Sequence, residues 1–299
     1  MLNLIKYFLA MLWRCAWLGG QFWLKRESQV QNDALLPLWV VGSLRMGGAG
    51  KTPVVNLWAN YLTGQGLRVA VMVYAVHARV PGSGTLVRKG DDWRQSSDEA
   101  VWHAQNGKYE LWATRNRRKT WEKLSKRGGL DLLISDDGLS DPRLIGAQKF
   151  LLDWGEPGGS LKELFPLGKL KFLRSDLKVD YTIALYGENP ALKYEALMPF
   201  GLKSGESVVL CSGVGDFQRL MQDIQALGLR VDKKIKLRNH ATNVANVVKK
   251  ELDKGLKVVV TEKDAVKFSD EIKNHKLLYI ANLELKFDLK QLYKYFAKD

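Results

Sequence analysis

Cysteine is nearly absent: Cys15 and Cys211 are the only two in 299 residues. They are too few for a disulfide scaffold and lack the paired spacing of a zinc site. A reducing compartment is therefore the simplest expectation, and a structural metal cluster is not expected. Acidic side chains are scarce beside basic ones, 32 against 46, and the resulting net charge of +14 favours anionic partners such as nucleic acid, acidic headgroups or phosphorylated substrates. There is no internal repeat and no low-complexity tract. With 46% hydrophobic and 26% charged residues the composition is that of a globular protein, which excludes long disorder, collagen-like repeats and a multi-span membrane protein. The length suits one large domain or two moderate ones.

Long hydrophobic runs are also missing. The most apolar stretch, MLNLIKYFLAMLWRCAWLGGQFWLKR at residues 1–26, is broken by Lys6 and Arg14. Neither side reaches the roughly 18 to 20 apolar residues a membrane span needs. The run between Lys6 and Arg14 is short for a signal peptide and no A-x-A-like cleavage site follows it, so the segment is expected to be retained. Trp13, Trp17, Phe22 and Trp23 beside Lys6, Arg14, Lys25 and Arg26 suit a helix lying in the headgroup layer. A helix packed on the domain core is the alternative, since an all-round apolar helix in a globular protein is usually buried.

What is present begins after a polar stretch at Glu27 to Asp33. LLPLWVVGSLRMGGAGKTPVVNLWANYLTGQGLRVAVMVY reads as strand, glycine-rich loop, helix and second strand, one βαβ unit. Gly47, Gly48, Ala49, Gly50, Lys51 and Thr52 form the ending of a P-loop, where small residues let backbone N–H groups wrap phosphates at a helix N-terminus. Lys51 would reach the β- and γ-phosphates and Thr52 would ligand Mg²⁺. Arg45 stands where the strict G-x-x-x-x-G-K-[ST] pattern has its first glycine. A glycine-rich turn before a helix without phosphate chemistry is the competing reading. Further on, LDLLIS is a short apolar run ending in Asp136, Asp137 and Gly138. In doubly wound sheets the ligand sits at the carboxyl ends of the strands, so this acidic pair can hold Mg²⁺ directly or through water, whereas an ordinary Asp-Gly turn would do neither.

With both motifs placed, the chain resembles the tetraacyldisaccharide 4'-kinase (lipid A 4'-kinase) family of Gram-negative bacteria over most of its length. VGSLRMGGAGKTPVV looks like that family's P-loop, which also lacks the standard first glycine and has a proline after GKT. ISDDGLSDPRL is similar to its DDGLQH motif and SSDEAVWHA to its GDEP region. FPLGKLKFLRSDLKVDYTI is similar to its LPAGPLRE segment and VVVTEKDAVKF to its TEKDAVK motif, all in the family's order. The resemblance implies transfer of the γ-phosphate of ATP, with Mg²⁺, to the 4'-hydroxyl of a tetraacyl glucosamine disaccharide 1-phosphate. It implies a site at the cytoplasmic face of the inner membrane, with an N-terminal helix seated there. It places Lys51 and Thr52 on the nucleotide and Mg²⁺ positions, Asp136 and Asp137 near the metal, and Asp98 near the acceptor hydroxyl as base. His240 in KLRNHATN matches the histidine that the family pairs with that aspartate.

The departures from the family pattern gather at the acceptor side. The arginine of an S-R-G-Y-G-G-like stretch becomes Ala75 in YAVHARV, and whether Arg79 substitutes for it stays open. Gln and His of DDGLQH become Ser140 and Asp141, and Ser97 and Ala100 flank Asp98 and Glu99. The arginine of LPAGPLRE becomes Lys171, which keeps the charge without the planar fork. Arg79, Lys171 and Lys263 are the candidate substrate contacts, Lys263 with the alternative of pairing with a neighbouring carboxylate. A basic helix at Thr114 to Arg127 is by default a solvated face, with contact to acidic lipid or a phosphorylated substrate as the functional alternative. From Ser207 onward a second α/β series follows, with helices near Phe217 to Leu227 and Val244 to Leu252.

The expected architecture is thus a P-loop NTPase-like parallel sheet with helices on both faces (27–190), a smaller α/β domain (191–299) and a membrane-associated helix (1–26). The boundary is placed in loops between Tyr186 and Glu206. Two other classes stay open: a diverged nucleotide-binding protein or pseudokinase with a different acceptor, and a P-loop NTPase acting on nucleic acid. No nucleic-acid-binding motif accompanies the charge, so nucleic acid is not the expected partner.

Overall fold

The structure, a computed structural model, describes residues 2–27, 35–75, 78–185 and 190–292. The polar stretch that follows Glu27, the loop around Gly187 and the side chains of Lys25 and Arg26 lie outside the described residues.

Two sheets organise the chain. The first holds β1 (Leu38–Gly42), β2 (Val69–Tyr74), β3 (Thr85–Val87), β4 (Glu110–Thr114), β5 (Leu132–Asp136), β6 (Gln148–Asp153) and β7 (Tyr181–Ala184), in the order β3-β4-β2-β5-β1-β6-β7. Every pairing in it is parallel except that of β3 with β4. Its inner strands, such as LWVVG and LLISD, are buried throughout, as a parallel sheet covered on both faces requires. Its helices are α1 (Leu2–Glu27), α2 (Lys51–Gly64), α3 (Trp93–Ser96), α4 (Asp98–Asn106) and α5 (Arg117–Arg127). Trp58 of α2 packs on Trp39 and Phe150 of the sheet with ring centroids 6.2 and 5.3 Å away.

The second sheet holds β8 (Leu192–Leu197), β9 (Ser207–Ser212), β10 (Arg230–Lys236), β11 (Val258–Thr261) and β12 (Leu278–Phe287), ordered β10-β9-β11-β12-β8. Its helices are α6 (Phe217–Ala226), α7 (Val244–Leu252), α8 (Glu262–Ala265) and α9 (Asp270–Lys273). The span read as loops between Tyr186 and Glu206 contains a strand: β8 pairs antiparallel with the far half of β12, Tyr194 opposite Leu285. Its prolines and glycines bracket the strand rather than fill it. Leu192, Tyr194, Leu285 and Phe287 of this ribbon pack into the core of the first sheet, so the second sheet reaches across the boundary.

Helix α1 is docked along one side. Arg14 makes a forked ion pair with Asp176 at 2.6 Å, the Trp13 indole donates to the Lys171 carbonyl at 2.7 Å, and Gln21 donates to the Ser140 carbonyl. Ala10 is buried, while Leu4, Phe8, Leu12, Phe22 and Trp23 are exposed on the rest of the helix. No helix among the described residues is long and apolar enough to cross a membrane.

Candidate active site

β1 and β5 are adjacent and parallel, with Val41 opposite Asp136, so the loop leaving β1 and the carboxylates ending β5 emerge side by side. The loop turns through Gly47, Gly48 and Gly50, all at positive φ (74°, 64° and 69°), before α2 begins at Lys51. Glycine is required twice over at Gly48, where a Cβ would sit 2.6 Å from the Asp216 backbone nitrogen. At Gly50 a Cβ would meet the Tyr194 hydroxyl, which donates to the Gly50 carbonyl at 2.8 Å. Ala49 is buried and its carbonyl accepts from the Trp154 indole at 3.2 Å. Arg45 pairs with Glu156 and lies 3.7 Å from Asp216, so the residue that replaces a P-loop glycine ties the loop to the second sheet's domain.

Lys51 approaches Asp137 Oδ2 at 3.5 Å and Lys171 approaches the same oxygen at 2.9 Å. Burial pushes the Asp137 carboxyl up, but the two ammonium groups and the nearby Arg117 outweigh it and hold it far below the usual carboxylate range. Burial likewise disfavours the Lys51 ammonium, and Asp137 and Asp136 more than restore it. Asp136 is buried, hydrogen-bonded by His103 and Thr52, and its carboxyl is also held low against the burial penalty. Thr52 and Asp136 thus bring a hydroxyl and a carboxylate, hard oxygen donors of the kind a Mg²⁺ ion takes, to one place.

The second cluster centres on Asp98. The Ser97 side chain caps α4 by accepting from the Ala100 N–H at 3.2 Å, which sets Asp98 in the first turn. His240 Nδ1 lies 2.8 Å from Asp98 Oδ1, and the Lys267 ammonium 2.8 Å from Oδ2. Burial raises the Asp98 carboxyl, but the His240 hydrogen bond and the charges of Lys263 and Lys267 drive it well below the ordinary range. Lys263 itself pairs with Glu99 at 2.6 Å. Asp264, buried in the same motif, accepts from Ser212 Oγ at 2.6 Å and Thr261 Oγ1 at 2.7 Å, fixing the loop that touches Gly48. Among the described residues the non-glycine positions at positive φ are Ser97, Asp137 and His240, all in these two clusters. Backbone strain of about 1–3 kcal/mol per such position concentrates where side chains are being aimed.

Both clusters open on one cavity of about 1200 Å³, lined by Gly47 to Thr52, Asp136, Asp137, Lys171, His240 and Lys263. An adjoining cavity of about 260 Å³ is lined by Asp98, His240, Trp93 and Arg94. Arg79 is exposed and lines neither. Arg117, Arg219 and Arg238 do line the main cavity, and Arg117 lies 4.9 Å over the Tyr74 ring and donates to Ser135 Oγ at 3.1 Å. Sequence reasoning did not single out Arg117, Lys267 or His103. Lys267 stood inside the TEKDAVK match, Arg117 inside a basic run, and His103 five residues after Asp98 with no signal of its own.

A family model described as tetraacyldisaccharide-1-P 4'-kinase matches residues 7–298 of the chain. Similar relatives include the tetraacyldisaccharide 4'-kinase of Haemophilus influenzae, 28% identical over 77% of this chain and 73% of its own length. That of Pasteurella multocida is 30% identical over 83% of this chain and 80% of its own. The fold is similar to that of LpxK from Aquifex aeolicus, solved in complex with ATP, with a TM-score of 0.70, 19% identity and 99% and 98% of the two chains covered.

Proposed function

The chain belongs to the tetraacyldisaccharide-1-P 4'-kinase family, and from that premise we propose that it transfers the γ-phosphate of ATP, with Mg²⁺, to the 4'-hydroxyl of a tetraacyl glucosamine disaccharide 1-phosphate at the cytoplasmic face of the inner membrane. The observation that carries this reading is that His240 faces both the cavity lined by the glycine loop and the adjoining one lined by its partner Asp98.

In this reading the N–H groups of Gly47 to Gly50 cradle the phosphates and Lys51 exchanges its contact with Asp137 for phosphate oxygens. Thr52 and Asp136 would hold Mg²⁺. Asp137, already facing two ammonium groups, would act through water. When bound, the ion neutralises charge across the β- and γ-phosphates. At the acceptor end Asp98 is too acidic to be a strong base by itself, because His240, Lys263 and Lys267 stabilise its charged form. Its role is to accept a hydrogen bond from His240 Nδ1, leaving Nε2 to take the proton of the sugar hydroxyl. Positioning dominates in phosphoryl transfer because the transition state is loose.

The docked face of α1 ties the helix to the site, since the Lys171 carbonyl accepts from Trp13 while its ammonium meets Asp137. The exposed apolar side chains of α1 then face the bilayer that holds the substrate. Purified protein incubated with γ-labelled ATP, Mg²⁺ and detergent-dispersed tetraacyl disaccharide 1-phosphate should label the lipid, and Asp98→Ala should not. ATP binding without labelled lipid in the wild type would sink the acceptor assignment and favour a diverged nucleotide-binding protein.

A further inference from the structure

His103 has no part in the scheme above, yet it is wholly buried and both ring nitrogens are engaged. Nε2 meets Asp136 Oδ2 at 3.1 Å, and Nδ1 meets the Tyr109 hydroxyl at 2.5 Å. That hydroxyl donates to Asn56 Oδ1 at 2.9 Å. Asn56 lies one turn beyond Thr52 on the same face of α2, and Thr52 hydrogen-bonds the Asp136 carboxylate. The five side chains close a ring: Thr52, Asp136, His103, Tyr109, Asn56, and back along one turn of α2.

The surroundings are built for this ring. At Gly107 a Cβ would lie 2.5 Å from Tyr109 Cζ and 2.8 Å from the His103 carbonyl, so the tyrosine can occupy its place only beside glycine. Asn60, one further turn along α2, donates to the Asn106 carbonyl at 3.0 Å and accepts from the Lys108 N–H at 2.8 Å, tying the same turn to the helix again. An apolar side chain would fill the position of His103 without the cost of burying polar atoms. What the imidazole adds is a fixed grip on one carboxylate oxygen, which leaves Oδ1 as the oxygen His103 does not engage.

We propose that His103 is a positioning residue for the divalent cation. Through the ring it fixes the separation and orientation of Thr52 and Asp136, the oxygen donors assigned to Mg²⁺, before nucleotide arrives. Partners that orient a metal ligand typically change metal affinity by about 10- to 100-fold when removed. The proposal rests on the ATP·Mg²⁺ reading of the cavity, but not on the identity of the acceptor.

The test titrates Mn²⁺, detected by electron paramagnetic resonance, into the full chain with a nonhydrolysable ATP analogue, and measures binding of the analogue without metal by calorimetry. His103→Leu should weaken Mn²⁺ by about tenfold or more, leave metal-free analogue binding within about twofold, and be partly rescued by His103→Gln. A merely structural role would lower stability or both affinities together. Tyr109→Phe deletes one hydroxyl from the ring with no change in ring size, and should weaken Mn²⁺ about threefold, the effect of one lost hydrogen bond. Unchanged Mn²⁺ affinity in folded His103→Leu overturns the proposal; if that variant does not fold, unchanged affinity in Tyr109→Phe does. Failure of lipid transfer with a normal His103 effect would instead count against the acceptor alone.

Discussion

At the proposed phosphate end of the cleft, Lys51, Thr52, Asp136, Asp137 and Lys171 all belong to the first sheet's half of the molecule. At the proposed acceptor end, Asp98 comes from that half, but its partners His240 and Lys267 come from the other. Each end contains a buried carboxylate, Asp136 and Asp98, held below the usual carboxylate range against a burial penalty by hydrogen bonds and neighbouring cations. They differ in when that compensation exists. The phosphate end is complete within one unit, whereas the charge of Asp98 is fully compensated only when the two halves are in contact. Nucleotide binding and acceptor activation should therefore be separable by mutation, with the Arg45–Asp216 and Tyr194–Gly50 contacts joining the halves around the P-loop.

The comparison is broken most severely at Lys51. Lys51→Ala should lower transfer by about three orders of magnitude or more, through lost charge stabilisation at the transferring phosphoryl group, and should also lower the melting temperature, since it removes a cation that compensates Asp137. Activity near wild type in a rapid-quench assay would show that the phosphate end is elsewhere. Next in size is Lys267→Met. Removing one partner of a buried ion pair costs about 3–5 kcal/mol, and here it leaves Asp98 poorly compensated. Lipid transfer should fall about 100-fold while the KM for ATP stays within about twofold, since only the orientation of the acceptor's proton acceptor is lost. An equal loss in ATP affinity would mean that the two ends are one coupled site.

The smallest effect is in pH. The folded-state value of Asp98 is lowered, so its contribution to stability is complete above the ordinary carboxylate range. It is lost as pH falls through that range toward the folded-state value. Melting temperatures of wild type and Asp98→Asn, measured between about pH 6 and pH 3, should diverge in slope below about pH 4, with the wild type losing more. Parallel slopes would show that Asp98 is no better compensated in the folded protein than in the unfolded chain.

The parts of this molecule that can be read without its structure share a property. The strand, glycine loop and helix from Leu38 to Gly64 are specified by near neighbours: an apolar run, residues free to take positive φ, then helix-forming residues. The same holds for the apolar run ending in Asp136 and for the strands and helices after Ser207. β8 was hidden because Leu192 and Tyr194 look like isolated apolar residues between prolines and glycines until β12 supplies the partner strand and the core of the first sheet covers their inward face. Arg79 and Arg117 make the same point at the site. By sequence Arg79 stood beside the expected motif, but it is exposed, and the first turn of α5 brings Arg117 to the cavity.

Residues a few positions apart suffice to specify the strand, glycine loop and helix from Leu38 to Gly64, the acidic pair at the end of β5 and the family, because each is encoded in a short stretch. Only the tertiary structure decided that Asp98 meets His240 from 142 positions away and is clamped by Lys267, and that His103 closes a ring onto Asp136. The two Asp98 pairings follow from two sheets packing with the carboxyl ends of their strands toward one cleft, and the His103 pairing from α4 packing within the first sheet's half; no local pattern records which side chains such packing will bury together.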